Sequence, residues 1–300
     1  MRNHAPDVFG LGQCAWDYIA EIDDYPPPDT KYEINALVLE GGGPVSTALV
    51  ALSRWGYSCH FSGVIGDDDI GREIISSLQQ AHIDTSGVMI RPDSVSQSAF
   101  ITAEPRNGRR TIFSHRPTGK AVQADEIDTD KLLRSKALHI DGIFPEASKA
   151  AAQLARKNGI PVIFDAGTLR EGRVALAQYT DYFFVSEQFA REYIGEDNPR
   201  KACMVLQKLG PHNVGVTLGA RGYVAQQGDK WFEGPAYPVQ AVDTTGCGYI
   251  FHAGLTYGVL QKWEMAKILR FSAWAAAMVA TKIGGRAGIP AANLYPDKET

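Results

Sequence analysis

The stretch Asp243-Thr244-Thr245-Gly246-Cys247-Gly248-Tyr249 decides how the rest of the chain is interpreted. Its polar and glycine residues precede a mostly apolar run that continues to Leu260, which predicts a tight turn leading into a helix. The glycines let a ligand approach the backbone, and the free amides at a helix N-terminus attract anions such as a phosphoryl group. A glycine pair before a helix is often only a turn, so both interpretations stay open.

This stretch resembles the Asp-Thr-x-Gly-Ala-Gly-Asp motif of the ribokinase-like (PfkB) carbohydrate kinases. The resemblance implies that the catalytic anion hole is formed by Gly246, Cys247 and Gly248. In that family the residue after the second glycine is an Asp that acts as the catalytic base, whereas here the catalytic position is occupied by Tyr249. We therefore expect the chemistry to be slow or absent.

Composition limits the classes of protein to consider. The chain has 300 residues, 44% of them hydrophobic, which is enough for one large core or two modest ones. The formal charge is 30 − 34 = −4 without a basic block, so nucleic acid is not an expected partner. No apolar run has transmembrane length, so we expect no membrane partner. Four widely separated cysteines favour reduced thiols and a cytoplasmic location over disulfides or a zinc site.

Strand-like and helix-like segments alternate from Ala137 onward, which predicts an α/β fold with a doubly wound, mostly parallel sheet. Ligands bind such sheets at the carboxyl ends of the strands. Asp165, Ser186 and Thr217 follow predicted strands directly, so we expect them near the site. The resemblance implies one ribokinase-like domain over residues 1–300.

The resemblance also implies a small lid of β-strands, which we place at about residues 14–39 and 96–115. We predict a strand over residues 31–39, and a hairpin at Asn107-Gly108, a strong turn signal. Exposed lid strands often pair, so we expect a homodimer through the lid. Arg116, just after the hairpin, is either an exposed charge or faces an anionic group of the substrate.

Candidate substrate-binding residues lie near the N-terminus. Asp17 follows a short strand and is either a turn residue or, by the resemblance, the carboxylate that accepts hydrogen bonds from sugar hydroxyls. Gly42, Gly43 and Ser46 lie where a strand meets a helix, which is explained by turn chemistry or by contact with the sugar. The family commonly has Asn where Ser46 stands, which leaves the choice of substrate open.

Candidate nucleotide-binding residues lie in two segments. Thr217, Gly219 and Gly222 resemble the family segment that borders ATP, although a glycine turn between strands explains them equally well. Ser186 and Glu187 stand where the family commonly has Asn-x-x-Glu, a motif connected with Mg²⁺ and phosphate. A P-loop is absent from the sequence.

The resemblance implies ATP and Mg²⁺ as cofactors, and a monovalent cation such as K⁺ at a metal site bordered by Asp243 and Thr245. The leading hypothesis is an ATP-dependent kinase of a sugar or sugar-like alcohol. The alternative is a catalytically inactive sugar- or nucleotide-binding protein that acts as a sensor or partner. His252 is either a packing residue or a substitute base, and a change at position 249 peculiar to this one sequence is a third explanation.

Overall fold

The computed structural model describes residues 5–170, 172–195 and 197–296. Its strands are β1 (Val8–Leu11), β2 (Ala15–Glu21), β3 (Ala36–Gly42), β4 (Cys59–Gly66), β5 (Asp84–Arg91), β6 (Ser98–Glu104), β7 (Arg109–His115), β8 (Ala137–Ile140), β9 (Val162–Asp165), β10 (Tyr182–Ser186), β11 (Asn213–Thr217), β12 (Tyr223–Gln227) and β13 (Lys230–Gly234). Its α-helices are α1 (Pro44–Arg54), α2 (Asp69–Gln80), α3 (Thr129–Arg134), α4 (Pro145–Lys157), α5 (Arg173–Leu176), α6 (Glu187–Ile194), α7 (Pro199–Gln207), α8 (Cys247–Leu260) and α9 (Met265–Val279).

Nine strands form the large sheet, in the order β13-β12-β11-β10-β9-β8-β1-β4-β5. All neighbours from β11 to β5 run parallel, and only β12 and β13 at one edge are antiparallel to their neighbours. This is the predicted mostly parallel α/β sheet. The loops after β1, β8, β9, β10 and β11 consequently meet along one edge.

Helices cover both faces of this sheet because its central strands are apolar on both sides. On β10, Phe183 and Val185 pack in the core with residues of α4, α6 and α7. Phe184, between them, faces the other way and packs with residues of α8 and α9. Alternate side chains of one buried strand therefore join two different helical layers.

The second sheet is small, with the order β3-β2-β6-β7 and two antiparallel pairs around the parallel pair β2–β6. Its inner face carries a small buried core of Ile19, Ala99, Ile101 and Ala103. Strands β2, β6 and β7 lie in the two stretches that we assigned to a lid, and β3 begins in the first of them and ends at Gly42. That this sheet acts as a lid stays a prediction.

The strand predicted over residues 31–39 is wrong in its position, because β3 spans Ala36–Gly42. The pairing of β2 with β3 ends at Glu21 and Ala36, and Ile22 instead donates to the carbonyl of Ala103. Residues 31–35 therefore extend beyond the end of their partner strand and form no ladder.

Candidate active site

The loop predicted to form the anion hole leads directly into α8, with Gly246 as the N-cap of this helix. Gly246 has φ of +78°, and a Cβ there would lie 2.6 Å from the Cα of Gly285. Glycine is therefore needed here both for the left-handed backbone and for close packing. At Gly248, by contrast, a Cβ would have no atom within 4 Å. Gly248 therefore borders open space, as expected if a ligand lies against it.

Asp243 holds this loop in place and is fully buried. Its Oδ1 accepts hydrogen bonds from the backbone N and the hydroxyl of Thr245, at 2.8 and 2.7 Å. Its Oδ2 accepts from the backbone N of Gly284 at 2.9 Å. Both oxygens are therefore hydrogen-bonded within the protein, which ties the loop to the segment at Gly284. That Asp243 and Thr245 border a cation site stays a prediction.

An arginine of the small sheet reaches the same loop and was missed in the sequence. Arg110, the second residue of β7, donates to the hydroxyl of Thr244, which in turn donates to the carbonyl of Gly108 at 3.4 Å. The guanidinium also opposes the effect of burial on Cys247, whose thiol pKa is nevertheless raised to about 11. The Asn107-Gly108 turn signal indicates where β7 begins, and alternate side chains of a strand face opposite sides of the sheet. Together these two observations could have identified Arg110 as an inward-facing cation.

Tyr249 lies in the first turn of α8, where the family has its base. Burial raises the pKa of its phenol, and the carboxylates of Asp165, Asp17 and Asp141 raise it further. An unperturbed phenol has a pKa near 10, so Tyr249 is protonated at neutral pH and is a poor proton acceptor. Three acidic groups nevertheless surround it, so the cleft retains carboxylates near the reacting position.

His252 packs inside the protein and does not face the cleft. Its Nδ1 lies 2.8 Å from the carbonyl O of Gly248, and its Nε2 lies 3.1 Å from the carbonyl O of Phe184. Asp165 Oδ2 lies 3.5 Å from the same Nδ1. Each ring nitrogen thus lies against a backbone carbonyl, and neither is directed toward a substrate. This geometry favours the packing interpretation over that of a substitute base.

Asp17 lies on the inner face of β2 with only 7% of its surface exposed. Its carboxylate has no hydrogen-bond partner among residues 5–170, 172–195 and 197–296. Burial raises its pKa to about 7, Glu40 and Asp243 act in the same direction, and Arg286 opposes them. A nearly buried, unpartnered carboxylate is costly, which is typical of a group that binds a ligand.

The glycines beside Asp17 are required by its position. A Cβ at Gly42 would lie 2.0 Å from Asp17 Oδ2, so the carboxylate rests directly on the backbone of β3. Gly43 has φ of +97°, and a Cβ there would lie 2.6 Å from the carbonyl O of Gln13. Ser46 is fully buried, and its hydroxyl donates to the carbonyl of Gly42 and lies 3.2 Å from that of Gly43. Ser46 thus supports the glycine turn from behind.

A buried arginine that the sequence interpretation did not single out supports the same turn. The guanidinium of Arg286 lies 3.4 Å from the hydroxyls of Ser46 and Thr47, and 3.3 Å from that of Ser77. Burial lowers its pKa to about 10, although Glu40 and Asp17 favour its charged form. The only sequence signal for this supporting role was an arginine inside a glycine-rich segment.

A cavity of about 720 Å³ adjoins the other side of the anion-hole loop. It is lined by all five residues predicted to bind nucleotide, Ser186, Glu187, Thr217, Gly219 and Gly222. It also reaches Thr244, Cys247 and Gly248. The structure therefore brings the predicted nucleotide residues and the anion hole to one continuous cavity, which fits a nucleotide with its phosphates toward α8.

The acidic residue of this cavity is already paired. Glu187 Oε1 accepts from Arg221 and lies 3.6 Å from the guanidinium of Arg191. Among the residues that the structure describes, no group of three or more His, Cys, Asp or Glu side chains is arranged to hold a metal ion. Mg²⁺ does not require such a group, because it usually keeps several water ligands and binds through one or two carboxylates and the substrate phosphates.

Comparison with known proteins identifies the family. The sequence characteristics of the pfkB family of carbohydrate kinases match residues 6–292. The chain belongs to this family. Members of this family use ATP and Mg²⁺. That the cavity beside the α8 N-terminus binds the nucleotide stays a prediction.

Individual relatives match almost the whole chain. A ribokinase of Haemophilus influenzae is 25% identical over 292 residues, which are 93% of this chain and 94% of that protein. An Agrobacterium tumefaciens protein proposed to be a ribokinase has a TM-score of 0.89 at 26% identity, covering 97% and 96% of the two chains. An E. coli protein proposed to be ribokinase II, solved with ATP and Mg²⁺, has a TM-score of 0.81 at 21% identity, covering 96% and 97%.

Two further predictions concern the state of the cysteines and association with a membrane. All four cysteines are free thiols. Within the described ranges, no helix is both long and apolar enough to cross a membrane. The cytoplasmic location stays a prediction.

Proposed function

We propose that the protein transfers the γ-phosphoryl group of ATP to a hydroxyl of a sugar or sugar-like alcohol, and that Tyr249 makes this transfer slow. The observation that carries the proposal is the position of the anion-hole loop between two half-sites. The nucleotide cavity lies on one side of the loop, and the unpartnered carboxylate of Asp17 lies within electrostatic reach of Tyr249 on the other.

Each part of the site has a task in this reaction. Asp17 orients the sugar by accepting its hydroxyl protons in hydrogen bonds. The acceptor oxygen forms a bond to Pγ while the bond between Pγ and the bridging oxygen breaks, and ADP leaves. Backbone amides at Gly246–Gly248 stabilise the charge on the phosphoryl oxygens, and the guanidinium of Arg110 adds a positive charge beside them.

The step that lacks a side chain is removal of the hydroxyl proton. Tyr249 is already protonated and cannot accept it, so the proton passes to water or to the phosphate itself. Loss of a general base typically costs about 10²–10⁴-fold in rate. Mg²⁺ would supply neutralisation of the phosphate charge, and Glu187 at the nucleotide cavity is the candidate carboxylate for it. A monovalent cation near Asp243 and Thr245 is part of the proposal only through the family.

The decisive experiment compares ADP release by the unmodified protein, Tyr249→Asp and Tyr249→Phe on a panel of sugars and nucleosides. We expect Tyr249→Asp to raise turnover by about 10²-fold or more. Tyr249→Phe keeps the ring without the hydroxyl and should not raise it. Brisk turnover by the unmodified protein would refute the argument from the missing base. If His252→Ala then abolished that turnover, the base would be His252.

The second candidate function is a catalytically inactive protein that binds a sugar or nucleotide as a sensor or partner. The observation that favours it is Tyr249 itself, in a site whose binding residues are otherwise retained. Calorimetry distinguishes the two functions. Tight binding of sugar and ATP, with no gain in turnover from Tyr249→Asp on any substrate, would establish binding as the function.

We also propose that two copies pair through the small sheet, which in each copy covers the sugar as a lid. One cross-strand row on its outer face consists of Leu39, Tyr18, Phe100 and Phe113. Phe100 and Phe113 are 62% and 53% exposed. Monomeric proteins seldom leave such a flat apolar surface in water, and an identical surface on a second copy would cover it.

A further inference from the structure

His252 lies behind the turn that begins α8, and both nitrogens of its ring face carbonyl oxygens, which only accept hydrogen bonds. The Nδ1 atom lies 2.8 Å from the carbonyl O of Gly248, and the Nε2 atom lies 3.1 Å from that of Phe184. A neutral imidazole carries one N–H group, so it would set a nitrogen lone pair against one of the two oxygens. An imidazolium carries two N–H groups and donates to both oxygens. The geometry therefore fits a ring with a proton on each nitrogen.

A positive charge on this buried ring has a matching negative charge at Asp165, the last residue of β9. Asp165 is only 3% exposed, and its Oδ2 lies 3.5 Å from Nδ1 of His252. The other oxygen, Oδ1, accepts from the backbone N of Gly167 at 3.0 Å. Oδ2 has no hydrogen-bond partner among the residues that the structure describes. A buried carboxylate is costly unless an opposite charge compensates it, so an imidazolium beside Asp165 accounts for the position of both groups.

A second buried histidine nearby, His139 on β8, does not carry the charge. Its Nδ1 lies 2.9 Å from the hydroxyl of Thr256, which itself donates to the carbonyl O of His252 at 3.1 Å. Because the hydroxyl proton is used in that bond, Nδ1 of His139 is the donor in the other. Burial and the positive charge of His252 lower the pKa of His139 to about 3. His139 is thus neutral, and the single positive charge lies on the ring that contacts the turn.

The Gly248 carbonyl that accepts from His252 belongs to the same peptide group as the backbone N–H of Tyr249. This N–H lies in the first turn of α8, so it has no acceptor within the helix. A charged donor on the carbonyl polarises the peptide group and makes its N–H a stronger donor to an anion.

We propose that His252 is a buried imidazolium and a positioning residue of the anion-hole loop. It holds the peptide group between Gly248 and Tyr249 toward the phosphate and adds a positive charge behind it. The inference deepens the proposed function, and it rests on that function in taking the phosphates of ATP as the anion.

Nuclear magnetic resonance of the unmodified protein, with ¹⁵N-labelled histidine, tests the protonation state directly. At neutral pH we expect His252 to show two N–H groups with the nitrogen shifts of an imidazolium, and His139 to show one N–H group. The spectrum of His252→Gln lacks the His252 signals and thereby identifies them among the seven histidines of the chain. A His252 ring with one unprotonated nitrogen would overturn the inference, whatever the activity of the protein.

Calorimetry with ATP, inorganic tripolyphosphate and adenosine tests the effect of this charge on binding. Thr256→Val is the matched control for His252→Gln, because Thr256 is fully buried one turn further along α8 and its variant loses a hydrogen bond without losing a charge. We expect His252→Gln to weaken binding of ATP and tripolyphosphate about tenfold and to leave adenosine binding nearly unchanged. Thr256→Val should leave the ratio of the ATP and adenosine affinities unchanged.

Three outcomes of the calorimetry would overturn the inference: equal losses for ATP and adenosine in His252→Gln, the same change of ratio in Thr256→Val, or no ATP binding by the unmodified protein. ADP release measured on the sugar panel separates the inference from the proposed function. Selective loss of phosphate affinity in His252→Gln, without ADP release by Tyr249→Asp on any sugar, would reject the kinase and retain the imidazolium. ADP release by Tyr249→Asp, with unchanged ATP affinity in His252→Gln, would do the reverse.

Discussion

At the scale of single residues, Asp17 illustrates how a binding group costs stability. Its pKa is raised to about 7 because burial and the nearby acids Glu40 and Asp243 disfavour the charged form, only partly offset by Arg286. The unfolded chain has a carboxyl pKa near 4, so the folded state binds the proton more tightly. The contribution of Asp17 to the free energy of unfolding is therefore present below about pH 4 and is lost as the pH rises to about 7.

The raised pKa of Asp17 predicts that Asp17→Asn has opposite effects on sugar affinity and on stability. Only the ionised carboxylate accepts hydrogen bonds from two hydroxyls, so sugar affinity should fall by up to about tenfold per pH unit below pH 7. Asp17→Asn should weaken sugar binding and abolish this pH dependence, yet unfold at a higher temperature than the unmodified protein at pH 8. The difference between the two proteins, measured by calorimetry and thermal unfolding, cancels the titration of other acids such as Asp141. A less stable Asp17→Asn with unchanged sugar affinity would contradict this assignment.

At the scale of elements, the two glycines at the start of α8 have different tasks. We predict that Gly246→Ala destabilises the protein by about 1–3 kcal/mol or more, because of its left-handed backbone and the Gly285 contact. Gly248→Ala should leave stability within about 1 kcal/mol or improve it, since Ala favours a helix. Its methyl group would instead fill the open space where phosphate is expected. Urea unfolding and ATP titration of both variants test this, and the assignment fails if Gly248→Ala binds ATP normally.

The elements themselves were largely readable from the sequence, because their signals are local. The strands predicted directly before Asp165, Ser186 and Thr217 are β9, β10 and β11, which end at these three residues. The start of β3 was not predictable, since it depends on where β2 ends its pairing. In the site, the spacing around Gly246 predicted the turn that begins α8, but the buried support by Arg286 depends on side chains of α1 and α2 far away in sequence. The role of Ser46 could not be seen either, because it depends on where a rotatable hydroxyl points.

At the scale of the whole molecule, the outer face of the small sheet predicts the oligomeric state. Phe100→Lys or Phe113→Lys should convert a dimer into a monomer in sedimentation experiments, because a charge would have to be buried between the copies. Met204→Lys is the control, since Met204 is an exposed apolar residue on α7, remote from this sheet. A monomeric unmodified protein at high concentration would reject the proposed pairing. Dissociation caused equally by Met204→Lys would also reject it.

The contact between the β6–β7 hairpin and the anion-hole loop affects the rate of ligand exchange. Gly108 is buried against Ala241, and Arg110 is hydrogen-bonded to Thr244, so the tip of the hairpin contacts the anion-hole loop. A ligand can enter or leave beside that loop only after this contact breaks. Arg110→Gln weakens this contact and should therefore accelerate both association and release of nucleotide in stopped-flow measurements. The same contact that adds charge to the site would then set how long ADP stays bound after the phosphoryl group has moved.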